Sequence, residues 1–242
     1  MKHKLMRLVS LLFLLSFFGG VALAFPNVFP TSTFNGPSGL VRIPAADVVP
    51  YKNYNLGMSY GSTTTSLASN AADSVLYYYM NMGSFHGLEL GVVGGNDKAN
   101  NKLREGVFVN MKLSLSADED SYPLKVALGV ENLFSYTQTD VYMVATKYFK
   151  QGPKLTFGFM ADFPDYKFRP FGVLGAEFPT ADTFILVSDF MLGENLSQLN
   201  AGVRIYFSPI FCLNVSGLNV LDSVTAKDQR AVLIGFSWAN PI

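Results

Sequence analysis

The chain has 242 residues with 18 basic and 18 acidic side chains, so its formal charge is zero and it lacks the basic excess that a nucleic-acid partner demands. Cys212 is the only cysteine and the histidines number 2, which excludes an intrachain disulfide, a cysteine metal cluster and a histidine metal site. Apolar residues make up 49%, yet beyond the N-terminal stretch no run approaches the ~20 apolar residues of a membrane helix.

The first segment, residues 1–24, places Lys2, Lys4 and Arg7 before an apolar run from Leu8 to Phe18 and ends in Ala22, Leu23 and Ala24. A basic start, an apolar middle and small residues at the end are the parts of a secretory signal peptide, with cleavage expected near Ala24. Residues 25–50, "FPNVFPTSTFNGPSGLVRIPAADVVP", carry too many prolines for a helix or a central strand. They are expected to form an ordered periplasmic lead-in or a small plug. Residues 51–242 hold the rest of the fold.

From there the chain breaks into short segments of period two, bounded by Gly, Pro, Asn, Asp and Ser. They are placed at 53–60, 75–83, 86–94, 106–115, 123–132, 139–149, 154–161, 170–178, 182–191, 198–207, 210–217 and 229–238. Split by parity, each has one apolar face. Leu88, Leu90 and Val92 stand against Glu89 and Gly91, and Val126, Leu128 and Val130 against Lys125, Gly129 and Glu131. In "LNAGVRIYF", Val203, Ile205 and Phe207 oppose Gly202, Arg204 and Tyr206. Glycine and charge share a face throughout.

A soluble barrel or sandwich would turn the apolar face inward, whereas a membrane barrel turns it to lipid and lines a polar lumen with the small and charged residues. Connection lengths favour the second. Long polar loops follow most odd segments, as at 61–73, 95–105, 132–140 and 219–230, and tight turns follow most even ones, as at 84–86, 150–153 and 179–182. Long loops on one rim and short turns on the other are the mark of outer-membrane barrels. Tyr51, Tyr54, Tyr60, Tyr122, Phe134, Tyr136, Tyr148, Phe149 and Trp238, near segment ends, are candidates for the interfacial girdles. The expected fold is therefore all-β, a single antiparallel transmembrane β-barrel of about 12 strands.

Two stretches carry a resemblance. "GPSGLVRIPAADVVPYKNYNLGMSYG" (36–61), through Gly39, Leu40 and Pro44, resembles the opening segment of the YjbH-like outer-membrane proteins. "FGVLGAEFPTADTFILVSDFMLGENLSQLNAGVRIYFSP" (171–209), through Asn200, Ala201, Gly202 and Arg204, is similar to their later hairpins. The resemblance spans residues 35–238 and implies a barrel in the outer membrane associated with exopolysaccharide production or export. The better-known members are far longer than this chain.

The candidate site is the lumen. By parity Glu89, Lys112, Lys125, Glu131, Lys147, Glu177, Asp189 and Arg204 project inward, four acids and four bases. They form either an internal ion-pair lattice that stiffens a narrow barrel or a constriction that orients a polar or sugar-like solute. Asp189 and Arg204, on consecutive segments, are the first pair to expect. His86, in the tight turn "SFHG", could serve as the base of a rim triad, but a turn histidine without a catalytic role is the better reading. No cofactor is expected, since no phosphate-cradling glycine motif precedes a helix. The expected role is support of envelope or exopolysaccharide transport, as a narrow pore or a structural partner. Its expected partners are outer-membrane lipid, a polysaccharide or small polar solute, and export-machinery proteins. A lipid-modifying barrel enzyme and a secreted soluble β-barrel binding protein are the alternatives.

Overall fold

The computed structural model describes residues 28–64, 72–97, 106–115, 124–133, 135, 139–149, 152–163, 167–194, 196–221 and 230–241. The leader 1–24 with its expected cleavage point, most of the longer loops, and Tyr122, Phe134 and Tyr136 lie outside the described residues.

Twelve strands form: β1 (Asn53–Thr64), β2 (Ala72–Phe85), β3 (Leu88–Asp97), β4 (Val107–Ser114), β5 (Leu124–Leu133), β6 (Asp140–Tyr148), β7 (Lys154–Asp162), β8 (Arg169–Ala181), β9 (Phe184–Gly193), β10 (Leu196–Ser208), β11 (Phe211–Leu218) and β12 (Arg230–Pro241). Each coincides with a segment of alternating polarity. Every strand pairs antiparallel with its sequence neighbours, and β12 returns to β1 from Asn53↔Pro241 to Thr64↔Arg230, which closes the barrel. Closure leaves no edge with unpaired backbone groups, the condition that lipid imposes on a spanning sheet. No helix among the described residues is long and apolar enough to cross a membrane.

Burial settles which way the sheet faces. Met80, Met111, Leu128, Met143, Phe159, Leu174, Leu186, Phe207 and Ile234 are exposed on the outside. Their chain neighbours Tyr79, Asn110, Ala127, Tyr142, Val173, Val187, Tyr206 and Leu233 are buried inside. An apolar exterior around an interior rich in Asn, Glu, Lys and Arg inverts a soluble barrel and is the arrangement of a transmembrane one. Tyr54 and Trp238 meet edge-to-face at 6.0 Å beside the rim where β1 begins and β12 ends. That rim also carries the tight turns Phe85–Leu88, Ala181–Phe184 and Ser208–Phe211.

Two assignments of the alternation need correction on β6. Its inward set is Asp140, Tyr142, Val144 and Thr146, all buried, so Lys147 falls on the outer face with Val141 and Met143. It sits opposite Leu124 and Leu155, next to the end of the strand, where a lysine stem can lie on apolar surface with its ammonium at the rim. Tyr148 is thereby an inner residue and not part of an outer girdle. Both faces of β6 carry apolar side chains, so polarity alone does not tell them apart.

The outer face yields a test. Met143→Arg, in the middle of β6 and 50% exposed to the outside, is expected to destabilise the barrel in lipid vesicles by about 2–4 kcal/mol. The same substitution at Lys147 is expected to change little; urea unfolding of both variants followed by tryptophan fluorescence measures the difference.

Candidate functional site in the barrel lumen

Residues 28–52 run inside the barrel, and their irregular backbone sets the chemistry of the lumen. The segment enters beside the short-turn rim, where the Tyr206 hydroxyl donates to the Phe29 carbonyl at 3.3 Å and Asn55 Nδ2 to the Pro30 carbonyl at 2.7 Å. It climbs to a turn at Asn35 and Gly36, whose positive φ of 111° favours glycine. It then descends to Tyr51, which bridges to Gly83 on β2, and Lys52, whose N–H reaches the Gly83 carbonyl at 3.0 Å. Leu40, Ile43 and Ala46 are almost wholly buried against the wall, with Leu40 at 1% and Ile43 at 0% exposure. Burying a Leu or Ile side chain is worth about 1.5–3 kcal/mol.

A coil has no sheet ladder of its own, yet each buried N–H and C=O must find a partner. The inward side chains supply them. At the upper turn Asn81 Nδ2 donates to the Gly36 carbonyl at 2.7 Å, Asn110 Nδ2 to the Asn35 carbonyl at 2.9 Å, and Asn35 Nδ2 to Glu131 at 2.8 Å. On β3, Glu89 accepts from the backbone N–H of Ser38 at 2.9 Å and of Val49 at 2.8 Å, tying together two distant points of the segment that follows the turn. On β4, Lys112 lies 3.6 Å from Glu89 and donates to the carbonyls of Ser38 at 2.8 Å and Ala45 at 3.3 Å. Thr146 Oγ1 on β6 accepts from Ala46 N–H at 2.9 Å.

The remaining charges form two centres. Asp189 on β9 accepts from the backbone N–H of Arg42 at 2.7 Å and of Ile43 at 3.2 Å, and is held in place by Asn200 Nδ2 at 2.6 Å. Arg204 on β10 places one arm of its guanidinium on Glu177 of β8 and the other on the carbonyl of Gly39, with the Leu40 carbonyl at 3.0 Å. The expected Asp189–Arg204 pair is thus replaced. Register explains it: Asp189 faces Asn200 and Arg204 faces Ile185, four positions away, so the guanidinium reaches across β9 to the carboxylate of the next strand.

Glu177 then passes the network on. Lys154 on β7 stands 3.6 Å from Glu177 and 3.2 Å from Asp47, and Lys125 on β5 stands 3.8 Å from Asp47. The Tyr148 hydroxyl donates to Asp47, and both lysines lie over the Tyr148 ring at 5.2 Å. Of the eight charges that parity assigned to the lumen, seven face it; Lys147 does not. Asp47 and Ser38 were not foreseen, because residues 25–50 have no period from which a facing side chain can be read.

The two stretches that carry the family resemblance meet here. Gly39 and Leu40 offer the carbonyls that Arg204 grips, and Gly39 bridges to Pro44 so tightly that a Cβ there would come within 2.6 Å of the Pro44 backbone. Asn200 orients Asp189 and also receives the Asn219 N–H at 2.9 Å. His86 lies exposed in the β2–β3 turn, its ring 4.7 Å from that of Tyr51. Among the described residues no group of His, Cys, Asp and Glu is arranged to hold a metal ion.

No protein-family profile and no curated protein matches the chain. Among solved structures, a KdgM porin superposes over 77% of this chain and 98% of its own, with a TM-score of 0.55 and 6% identity. A KdgM porin in complex with disordered oligogalacturonate superposes over 75% and 98%, with a TM-score of 0.56 and 8% identity. The likeness is one of fold, that of the porin-type barrel.

Removing Arg204 leaves buried Glu177 with Lys154 at 3.6 Å and releases two carbonyls, so Arg204→Ala is expected to cost about 3 kcal/mol, the lower end of what breaking a buried pair costs. Lys147→Ala, on the outer face, is expected to stay within about 0.5 kcal/mol; urea midpoints of the two compare them. Asp47 gives a pH test. Burial alone pushes its carboxyl up, but Lys154, the Tyr148 hydroxyl and Lys125 more than reverse this and hold it at about 2. Its folded value is therefore below the unfolded value of about 3.9, so its contribution is full above that pH and fades as pH falls toward the folded value. Thermal unfolding is expected to show wild type losing more stability than Asp47→Asn between about pH 5 and about pH 2.

Proposed function

We propose that the chain is a YjbH-like outer-membrane protein that serves envelope or exopolysaccharide transport, with residues 28–52 closing its lumen at rest. The short-turn rim faces the periplasm and the long loops face outward. One observation carries the reading: the lumen charges are spent on the chain's own segment. Arg204, Asp189, Glu89 and Lys112 all bind backbone groups of residues 38–49. A barrel lined this way is shut until the segment shifts.

The meeting of the Gly39, Leu40 and Pro44 motif with Asn200 and Arg204 supports the family reading, since it gives both motifs one task, the holding of the plug. A polysaccharide or a small polar solute is the cargo class we assign. It suits a lumen of amides and charges, and the fold is one in which an oligogalacturonate complex has been seen. Export-machinery proteins reaching the periplasmic rim, where both limbs of the segment end, are the partners that would move it.

Planar-bilayer recording tests this reading. Wild type is expected to show little conductance, Arg204→Ala frequent openings, and deletion of residues 31–47 a sustained open level. Cells lacking the chain are expected to release less exopolysaccharide. A wide wild-type conductance that the deletion leaves unchanged would contradict the closed lumen, and unchanged polysaccharide release would contradict the transport role.

A further inference from the structure

We infer that the lumen segment comes free in two stages, the ascending limb of residues 28–33 leaving first while residues 38–49 stay held by the wall. This order of release rests on the reading of residues 28–52 as a closed plug and says which part of it moves.

The two parts are bonded to the barrel by different chemistry. Among the described residues, the wall side chains that bond residues 28–33 are neutral: the Tyr206 hydroxyl at the Phe29 carbonyl, Asn55 at the Pro30 carbonyl, and Asn81, whose Nδ2 donates to the Ser32 hydroxyl at 2.7 Å. Ser32 in turn donates to Asn55 Oδ1 at 3.3 Å. Residues 38–49 instead meet Glu89, Lys112, Asp189 and Arg204 through their backbone groups. Charge-assisted hydrogen bonds are roughly twice as strong as neutral ones, so this second part is held harder. It also runs on through Tyr51 and Lys52, which are tied to Gly83, into β1.

Packing separates the two parts in the same way. Every residue from 28 to 33 lines one of three cavities: Val28 to Thr31 one of about 190 Å³, Phe29 and Pro30 one of about 110 Å³, and Ser32 and Thr33 one of about 40 Å³. Even the smallest exceeds the roughly 10–15 Å³ that a water needs, so water can reach the limb's wall side. Ile43 and Ala46 line none of the three and are wholly buried. Two backbone bonds stitch the limb to the stretch after the turn, from the Thr33 N–H to the Pro37 carbonyl at 2.7 Å and from the Gly39 N–H to the Thr31 carbonyl at 2.9 Å. Once they part, the limb can withdraw toward the short-turn rim, uncovering Asn55, Asn81 and, beside the smallest cavity, Ser59 and Ser216. Arg204 meanwhile stays on Glu177 and the Leu40 carbonyl, and the rest of the plug remains seated.

Amide hydrogen exchange of the full barrel in detergent micelles, followed residue by residue by NMR and corrected for intrinsic rates, tests the order of release. The Thr33 and Gly39 N–H groups report the limb, and the Arg42 and Val49 N–H groups report the hold of the wall. Thr33 and Gly39 are expected to exchange at least about tenfold faster than Arg42 and Val49. Asn55→Ala, which removes a neutral bond to Pro30, is expected to speed the first pair by a further factor of about three to ten and leave the second unchanged. A gap below about tenfold, or Asn55→Ala speeding all four alike, means that the segment moves as one body and overturns the two-stage release. Unprotected exchange at all four would remove the closed plug as well, whereas a barrel that transports nothing would still show the gap. Should Asn55→Ala not form a heat-shifting barrel, the wild-type comparison decides.

Discussion

An irregular backbone inside a membrane barrel must find a partner for every buried N–H and C=O, and the rest of this structure follows from how that demand is met. Strands satisfy themselves by closing β12 on β1. Residues 28–52 cannot, because they form only short bridges such as Ser32↔Ser38 and Gly39↔Pro44. The wall therefore turns polar side chains inward at the places where the coil needs them. Asn81 and Asn110 meet carbonyls, Glu89 and Asp189 meet N–H groups, and Arg204 meets a carboxylate and two carbonyls together. Buried charges of this kind are costly when isolated and tolerable when each is both paired and hydrogen-bonded.

That division of labour gives the barrel two surfaces with different rules. Outside, size and apolarity suffice, and Met, Leu, Phe and Val interchange around the circumference. Inside, individual atoms matter. Arginine at position 204 is needed for its planar fork, since a lysine is a point charge that cannot hold Glu177 and Gly39 in the same geometry. Glycine at position 39 is needed because the chain folds back on Pro44 with no room for a side chain.

Much of the architecture was legible in the sequence because period-two alternation reports the pleat directly. All twelve strands, the inward glycines and the inward placement of Arg204 come from it. Pairings were not legible, because they depend on register and on curvature: Arg204 reaches past β9 to Glu177, two strands away in a closed wall. Lys147 was misplaced for a related reason, since β6 has Val and Met on one face and Tyr and Val on the other, and hydropathy does not choose between them. Asp47 and Ser38 stayed hidden because a proline-rich coil has no periodicity; their roles emerge only when the wall around them is closed.

Everything inside the wall depends on residues 28–52 occupying the lumen and being gripped there. Cysteine crosslinking tests it most directly, using Ala46→Cys with Thr146→Cys in a Cys212→Ser background, since the Ala46 N–H lies 2.9 Å from the Thr146 hydroxyl. A mild oxidant is expected to close this disulfide in barrels embedded in membrane, and both thiols are then expected to resist maleimide labelling. If the pair stays reduced and position 46 labels as readily as an exposed residue, the segment lies outside the barrel and the lumen is not closed by it.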